Sequence, residues 1–303
     1  MPLDPDVVKL LEQFPPFDPR LTPDEMRTAG EARRPPGAGD QDVRAEDLEV
    51  PGAEGPLRAR RYVGPAGNPD RALLVYFHGG GFVLGDLESH DGVCRDLASG
   101  AGVAVLAIDY RLAPEHPFPA GVEDAWSAFA WASDHAGDLG ADSARIAVGG
   151  DSAGGTLAAV VALRARDAGV PLRLQVLVYP LTDDSEARLA QRVADDPGVF
   201  LTAEAIEWFE HHYRPDRADW RASPLHAEDV AGVAPAVVLT CEYDPLRAEG
   251  DEYAQRLDAA GVPVVHRSYP GLIHGVLGMG AIVPAAQPLM DECCAALRAR
   301  LTE

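Results

Sequence analysis

Lysine occurs once, as Lys9, and arginine supplies the rest of the positive side-chain charge. Acidic residues outnumber Lys and Arg by 48 to 26, a formal net charge of −22. A surface of that sign repels nucleic acid and anionic membranes, so neither is expected as a partner. Cysteine is scarce too: only Cys94, Cys241, Cys293 and Cys294. Their spacing offers no Cys-x-x-Cys pair, and it fits neither a disulfide framework nor a zinc site. Buried free thiols are the expected state. No run approaches the roughly 18 apolar residues that span a bilayer. The opening Met-Pro-Leu-Asp-Pro-Asp has neither a basic stretch nor an apolar signal core. Membrane insertion is therefore not expected, and a cytoplasmic location is.

What the chain has is a globular composition, 47% hydrophobic and 24% charged over 303 residues. That is enough for one large α/β domain or two small ones. Residues 1–45 are rich in proline and charge, with helical fragments at 6–13 and 22–34 and a hinge-like interruption at 35–39. Alternating strands begin near residue 42, including 57–62. Apolar runs then recur at 72–77, 103–108, 145–148, 174–179, 236–241 and 264–269. Helical patterns follow most of them, at 92–100, 121–135, 153–168, 247–260 and 288–301. Continuous apolar strands separated by helices predict a mostly parallel sheet covered on both faces. Between 179 and 236 there is no good strand, but 202–213 is an amphipathic helix carrying Trp208, Phe209 and Tyr213. An insertion of this kind is a candidate lid with an apolar ceiling, although the same aromatics also suit packed core.

In such a sheet, chemistry gathers beyond the carboxyl ends of the strands. The run 145–148 leads into Gly149-Gly150-Asp151-Ser152-Ala153-Gly154-Gly155 and then into a helix. A serine on so sharp a turn takes strained backbone angles and projects from the sheet edge. The Ala153 N–H opens the helix, where negative charge is favoured. The run 72–77 leads into His78-Gly79-Gly80-Gly81-Phe82, whose glycines leave backbone N–H groups free for an oxyanion. Either stretch alone is also compatible with a plain glycine turn. After 241 comes Glu242-Tyr243-Asp244-Pro245-Leu246, and after 269 comes Pro270-Gly271-Leu272-Ile273-His274-Gly275. The chain order is Ser152, Asp244, His274, the order of a nucleophile, acid and base on an α/β-hydrolase sheet. Glu242 competes for the acid role from nearer the strand end, whereas Asp244-Pro245 has the turn chemistry that fixes a carboxylate. His78 suits a loop brace, and His211 and His212 lie on the supposed lid. His90, His116, His135, His226 and His266 have no nucleophile in evident reach.

Together these stretches resemble the hormone-sensitive-lipase-like branch of the α/β-hydrolases, the bacterial family IV esterases. The resemblance also takes in Asp109-Tyr110-Arg111-Leu112-Ala113-Pro114-Glu115, Arg247 and Glu249-Gly250. It implies an α/β-hydrolase core over 46–183 and 226–303, with a helical cap made from 1–45 and 184–225. It implies a catalytic triad of Ser152, Asp244 and His274, and an oxyanion hole of Gly80, Gly81 and Ala153. The implied substrates are short- to medium-chain carboxylic esters, cleaved with no metal and no cofactor. The family often dimerises, so a homodimer is a further expectation. The family usually has an aromatic residue after the His-Gly pair, where this chain has Val276. Rival expectations are an amidase, a lactonase or a deacetylase on the same triad. A non-catalytic receptor is another, as in the plant gibberellin receptors, but these lack the histidine that is present here.

Overall fold

Most of the apolar runs become the buried middle of a single sheet, whereas 264–269 forms an edge strand with Val265, Arg267 and Ser268 exposed. A computed structural model describes residues 1–13, 15–32, 39–194 and 196–302, so residues 35–38 of the expected hinge lie outside the described residues. The strands are β1 (Arg44–Pro51), β2 (Pro56–Val63), β3 (Leu73–Phe77), β4 (Ala104–Ile108), β5 (Ile146–Asp151), β6 (Leu174–Val178), β7 (Ala236–Tyr243) and β8 (Val264–Ile273). Their spatial order is β1-β2-β4-β3-β5-β6-β7-β8. Strands β3 to β8 run parallel, while β1 and β2 join antiparallel at one edge. The fold is that of an α/β-hydrolase.

The helices are α1 (Pro5–Leu11), α2 (Pro23–Ala32), α3 (Asp91–Ala101), α4 (Ala120–Asp134), α5 (Ala153–Ala168), α6 (Glu186–Ala194), α7 (Ala203–Tyr213), α8 (Arg247–Ala259) and α9 (Gln287–Leu301). Alternate residues of β3 and β5 serve opposite faces of the sheet. Leu73, Val75, Phe77, Ile146 and Val148 share one core with α4, α5 and α8. Leu74, Tyr76 and Ala147 share the other with α1, α3 and α9. Each buried large aliphatic or aromatic side chain contributes about 1.5–3 kcal/mol. The four cysteines are buried free thiols, and burial pushes the Cys94 and Cys241 thiols well up, away from the reactive thiolate.

Three strands run past their apolar patterns, β8 among them, which continues beyond Tyr269 through Pro270 and Gly271 to Ile273. β5 continues through Gly149 and Gly150 to Asp151, because its parallel neighbours keep supplying backbone partners up to Asp151 opposite Val178. β7 continues past Cys241 to Tyr243, across an irregularity in its pairing with β8. Helix α6 was not legible in the sequence at all. It buries Arg188 and Arg192 rather than apolar residues, so it leaves no hydrophobic stripe.

Candidate active site

Ser152 sits between the end of β5 and the start of α5 at φ 54° and ψ −121°. Such a conformation costs a non-glycine residue about 1–3 kcal/mol, so the surroundings must impose it. They do. The Ser152 N–H donates to Val178 O at 2.9 Å, which ties the turn to β6. A Cβ on Gly154 would collide with the carbonyl oxygens of Phe77 and His78. Only glycine lets α5 start this close to β3.

The three chain-distant residues meet here. His274 Nε2 lies 2.8 Å from Ser152 Oγ, and His274 Nδ1 lies 2.8 Å from Asp244 Oδ2. The Asp244 side chain is fully buried. Its other oxygen accepts the Leu246 N–H at 2.8 Å, the local turn anticipated from Asp244-Pro245. Tyr179 packs against the imidazole, with ring centroids 4.6 Å apart. Glu242 points elsewhere: it accepts from the N-terminal ammonium at 2.5 Å and from the Gly271 N–H at 2.8 Å.

Gly80, Gly81 and Ala153 line the same cavity as Ser152 and His274. Among the described residues, the N–H groups of Gly80 and Gly81 have no hydrogen-bond acceptor. The preceding Gly79 N–H does, donating to Asp151 Oδ1 at 3.1 Å. Tyr76 OH donates to the same oxygen at 2.7 Å, and His90 Nε2 lies 3.2 Å away. Burial alone would raise the Asp151 carboxyl, but His90, Tyr76 and His78 outweigh it and hold the group down at about 2. Asp151 thus links the serine turn to the glycine loop as an anion. His78 braces the same loop: Nδ1 is 2.8 Å from Gly79 O, and the ring stacks on Tyr110 at 4.4 Å. Burial, then His90, lowers its pKa to about 4.

The cavity over the serine measures about 350 Å³. Its far wall comes from the insertion between β6 and β7. On α7, Ile206, Phe209, Glu210 and Tyr213 line it, spaced as one helix face. The expected ceiling of three aromatics therefore divides. Phe209 lies so close over Gly81 that a Cβ there would strike its ring. Tyr213 stacks on Phe82 at 3.9 Å. Trp208 turns away to Phe17 and donates to Leu21 O at 3.2 Å. Val276 belongs to the core beneath the sheet rather than to the cavity lining.

Behind this wall lies a buried charge network. The fully buried Arg192 reaches both oxygens of fully buried Glu249 at 3.0 and 2.8 Å, and also Glu210 at 3.3 Å. Arg217 holds the other Glu210 oxygen at 2.6 Å. Asp184 sits beside them in the cavity wall, where its Oδ1 makes no hydrogen bond among the described residues but lies 3.7 Å from Arg192 Nη1. Burial, then the neighbouring Glu210, pushes the Asp184 carboxyl above the ordinary carboxylate range.

Several of these residues escaped sequence reasoning. His90 does reach the site, through Asp151 rather than the hydroxyl. Tyr76, Tyr179 and Asp184 gave no local signal. Glu210 did give one, as the single charged residue on an otherwise apolar face of α7. His211 is exposed and His212 packs on Trp208. His226 and His266 pair with Asp183 and Asp251, each at 2.8 Å. Among the described residues no group of three or more His, Cys, Asp or Glu side chains is arranged to hold a metal ion. No described helix is long and apolar enough to cross a membrane.

The family model for the alpha/beta hydrolase fold matches residues 74–278. Esterase LipI of Mycobacterium tuberculosis is 42% identical, over 98% of this chain and 94% of its own. The carboxylic ester hydrolase LipN of the same organism is 46% identical, over 86% of this chain and 71% of its own. Among solved structures, the hyperthermophilic esterase of Pyrobaculum calidifontis superposes with a TM-score of 0.88 at 40% identity, covering 99% of each chain. The chain belongs to the hormone-sensitive-lipase-like branch of the α/β-hydrolase family, a branch of carboxylic ester hydrolases.

Proposed function

We propose that this enzyme hydrolyses short- to medium-chain carboxylic esters by two-step acyl transfer on Ser152. His274 Nε2 takes the hydroxyl proton as Ser152 Oγ bonds to the ester carbonyl carbon. Asp244 holds the imidazole in the required tautomer and stabilises its positive charge. The N–H groups of Gly80, Gly81 and Ala153 receive the oxyanion. His274 then gives its proton to the leaving alcohol. Water, deprotonated by the same imidazole, cleaves the acyl-serine to acid and free serine. The carrying observation is the unbroken relay from Ser152 Oγ through His274 to Asp244, 2.8 Å at each step, beside free glycine N–H groups. Residues 1–45 and 184–225 act as the cap over the acyl chain. A cavity of about 350 Å³ suits a modest ester rather than a triglyceride. The cytoplasm is the expected location, and the resemblance implies a homodimer, which light scattering reads directly.

The test is intact-mass labelling with a fluorophosphonate. Wild type should take one adduct, mapping to Ser152, and Ser152→Ala none. An adduct elsewhere, or more than a few per cent of the nitrophenyl butyrate activity left in the variant, would refute the assignment. A nitrophenyl ester series should peak near the butyrate and fall towards the laurate. Equal turnover of matched anilides would instead make the enzyme an amidase.

A further inference from the structure

The glycine loop holds an awkward backbone. Gly80, Gly81 and Phe82 have φ of 118°, 60° and 62° in succession. Glycine adopts such angles freely, but phenylalanine does not. The loop must be gripped from outside if its N–H groups are to keep their aim. Val83 and Leu84 N–H groups close the turn on Gly80 O at 3.1 and 2.8 Å. The Ala113 N–H grips Phe82 O at 2.9 Å from a neighbouring loop. One further grip comes from the N-terminal segment.

That grip is Arg27 on α2. Its Nε donates to Val83 O at 3.0 Å and its Nη2 to Ala113 O at 2.8 Å. A single guanidinium thereby ties the glycine loop to the loop that holds Phe82. Glu115 orients it, receiving Nη1 at 2.7 Å and Nη2 at 2.9 Å. Hydrogen bonding to Arg27 keeps Glu115 ionised, at about 2. α2 has no fully buried residue of its own. Arg27 is therefore a principal tie between this helix and the body of the protein.

We propose that Arg27 is a positioning residue for the reaction, holding the Val83 and Ala113 carbonyls so that the Gly80 and Gly81 N–H groups stay aimed at the oxyanion. The proposal rests on the ester-hydrolase reading of Ser152. It makes the seating of the N-terminal helix part of transition-state stabilisation, which a helix that only covers the cavity would not provide. Lysine cannot replace it, because a single ammonium does not span two carbonyls and a carboxylate.

The test compares Arg27→Ala, Arg27→Lys and Glu115→Gln with wild type on nitrophenyl butyrate. Arg173→Ala, on an exposed side chain just before β6 and outside the cap, is the control and should keep the wild-type kcat. Arg27→Ala should lose roughly ten- to a hundredfold in kcat, with KM within about threefold. Its affinity for a phenylboronic acid, which forms a tetrahedral adduct on Ser152, should fall by the same factor. Methylguanidinium should restore part of both. Arg27→Lys keeps the charge and the helix, so it answers the question even where the alanine variant fails to fold, and its kcat should fall between the two. Lower thermal stability with wild-type kcat and boronate affinity in both Arg27 variants would overturn the proposal. No labelling or turnover in the wild type would instead overturn the ester-hydrolase reading.

Discussion

The two sides of the cavity are held by different physics. On the sheet side, Ser152 and Asp244 follow strands whose central residues are fully buried, and His274 follows the buried Gly271-Leu272-Ile273 end of the edge strand β8. Their positions descend from apolar packing and backbone pairing, with Gly154 allowing close approach. On the cap side, α6 is held by Arg188 and Arg192 on carboxylates, and α7 by Arg192 and Arg217 on Glu210 together with aromatic contacts of Trp208 and Tyr213. Apolar packing is cumulative, so no single contact decides it. A buried ion pair is concentrated in two side chains, and losing either leaves an unpaired buried charge. The reacting atoms thus sit on the part that yields least. Substrate fit sits on the part that a few side chains can reset.

The largest effect should come from the sheet side. Asp244→Asn keeps the shape but favours the wrong imidazole tautomer, and kcat should fall about 10⁴-fold at neutral pH with little change in unfolding midpoint. A loss below tenfold would remove Asp244 from its role. Where the two sides touch, Gly81→Ala should cost about 10²-fold in kcat/KM, because alanine is strained at φ 60° and the new methyl meets the Phe209 ring. The double variant Gly81→Ala/Phe209→Ala should recover the part of that loss due to the ring. If it recovers none, the damage lies in the loop backbone and not in the contact with the cap.

On the cap side the expected loss shifts from rate to stability. Arg192→Met leaves Glu249, Glu210 and the Asp183 carbonyl without their buried donor. It should destabilise the fold by about 3–5 kcal/mol in denaturant melts. Glu249→Gln/Arg192→Met should recover part of this. The kcat of the folded fraction should stay within tenfold of wild type, whereas a collapse like that of Asp244→Asn would erase the contrast between the two sides.

The same division explains what could be read from the sequence. β3 to β7 and their helices were visible because burial on both faces writes long apolar runs. Ser152 and Asp244 follow such runs, and His274 follows the shorter buried end of the edge strand β8. Residues 186–194 were invisible as a helix: Arg188 and Arg192 face inward where hydropathy looks for leucine. The Asp151 brace was equally hidden, since its partners Tyr76, Gly79 and His90 converge only when β3 and β5 pair. Close approach leaves a trace in glycines, but pairing of distant polar groups leaves none.

The smallest effect lies in Asp184, where the cavity wall carries an acid beside Glu210. In the unfolded chain an aspartate titrates near about 3.9. In the fold, burial and Glu210 raise Asp184 above that value. Between the two the folded state holds a proton that the unfolded state has released. The stabilising contribution is therefore complete below about 4 and is lost as pH rises through the raised value of the folded state. The carboxamide introduced by Asp184→Asn has no such proton to lose. That variant should match wild type at about pH 4 and melt progressively higher as pH rises, with the gap widest in alkaline solution. The KM of wild type for an apolar ester should rise towards alkaline pH, as charge appears in the wall, while that of Asp184→Asn stays level. Parallel melting curves across that range would place the Asp184 proton outside the fold's energetics, and the acid would then be one more fixed charge of the network around Arg192.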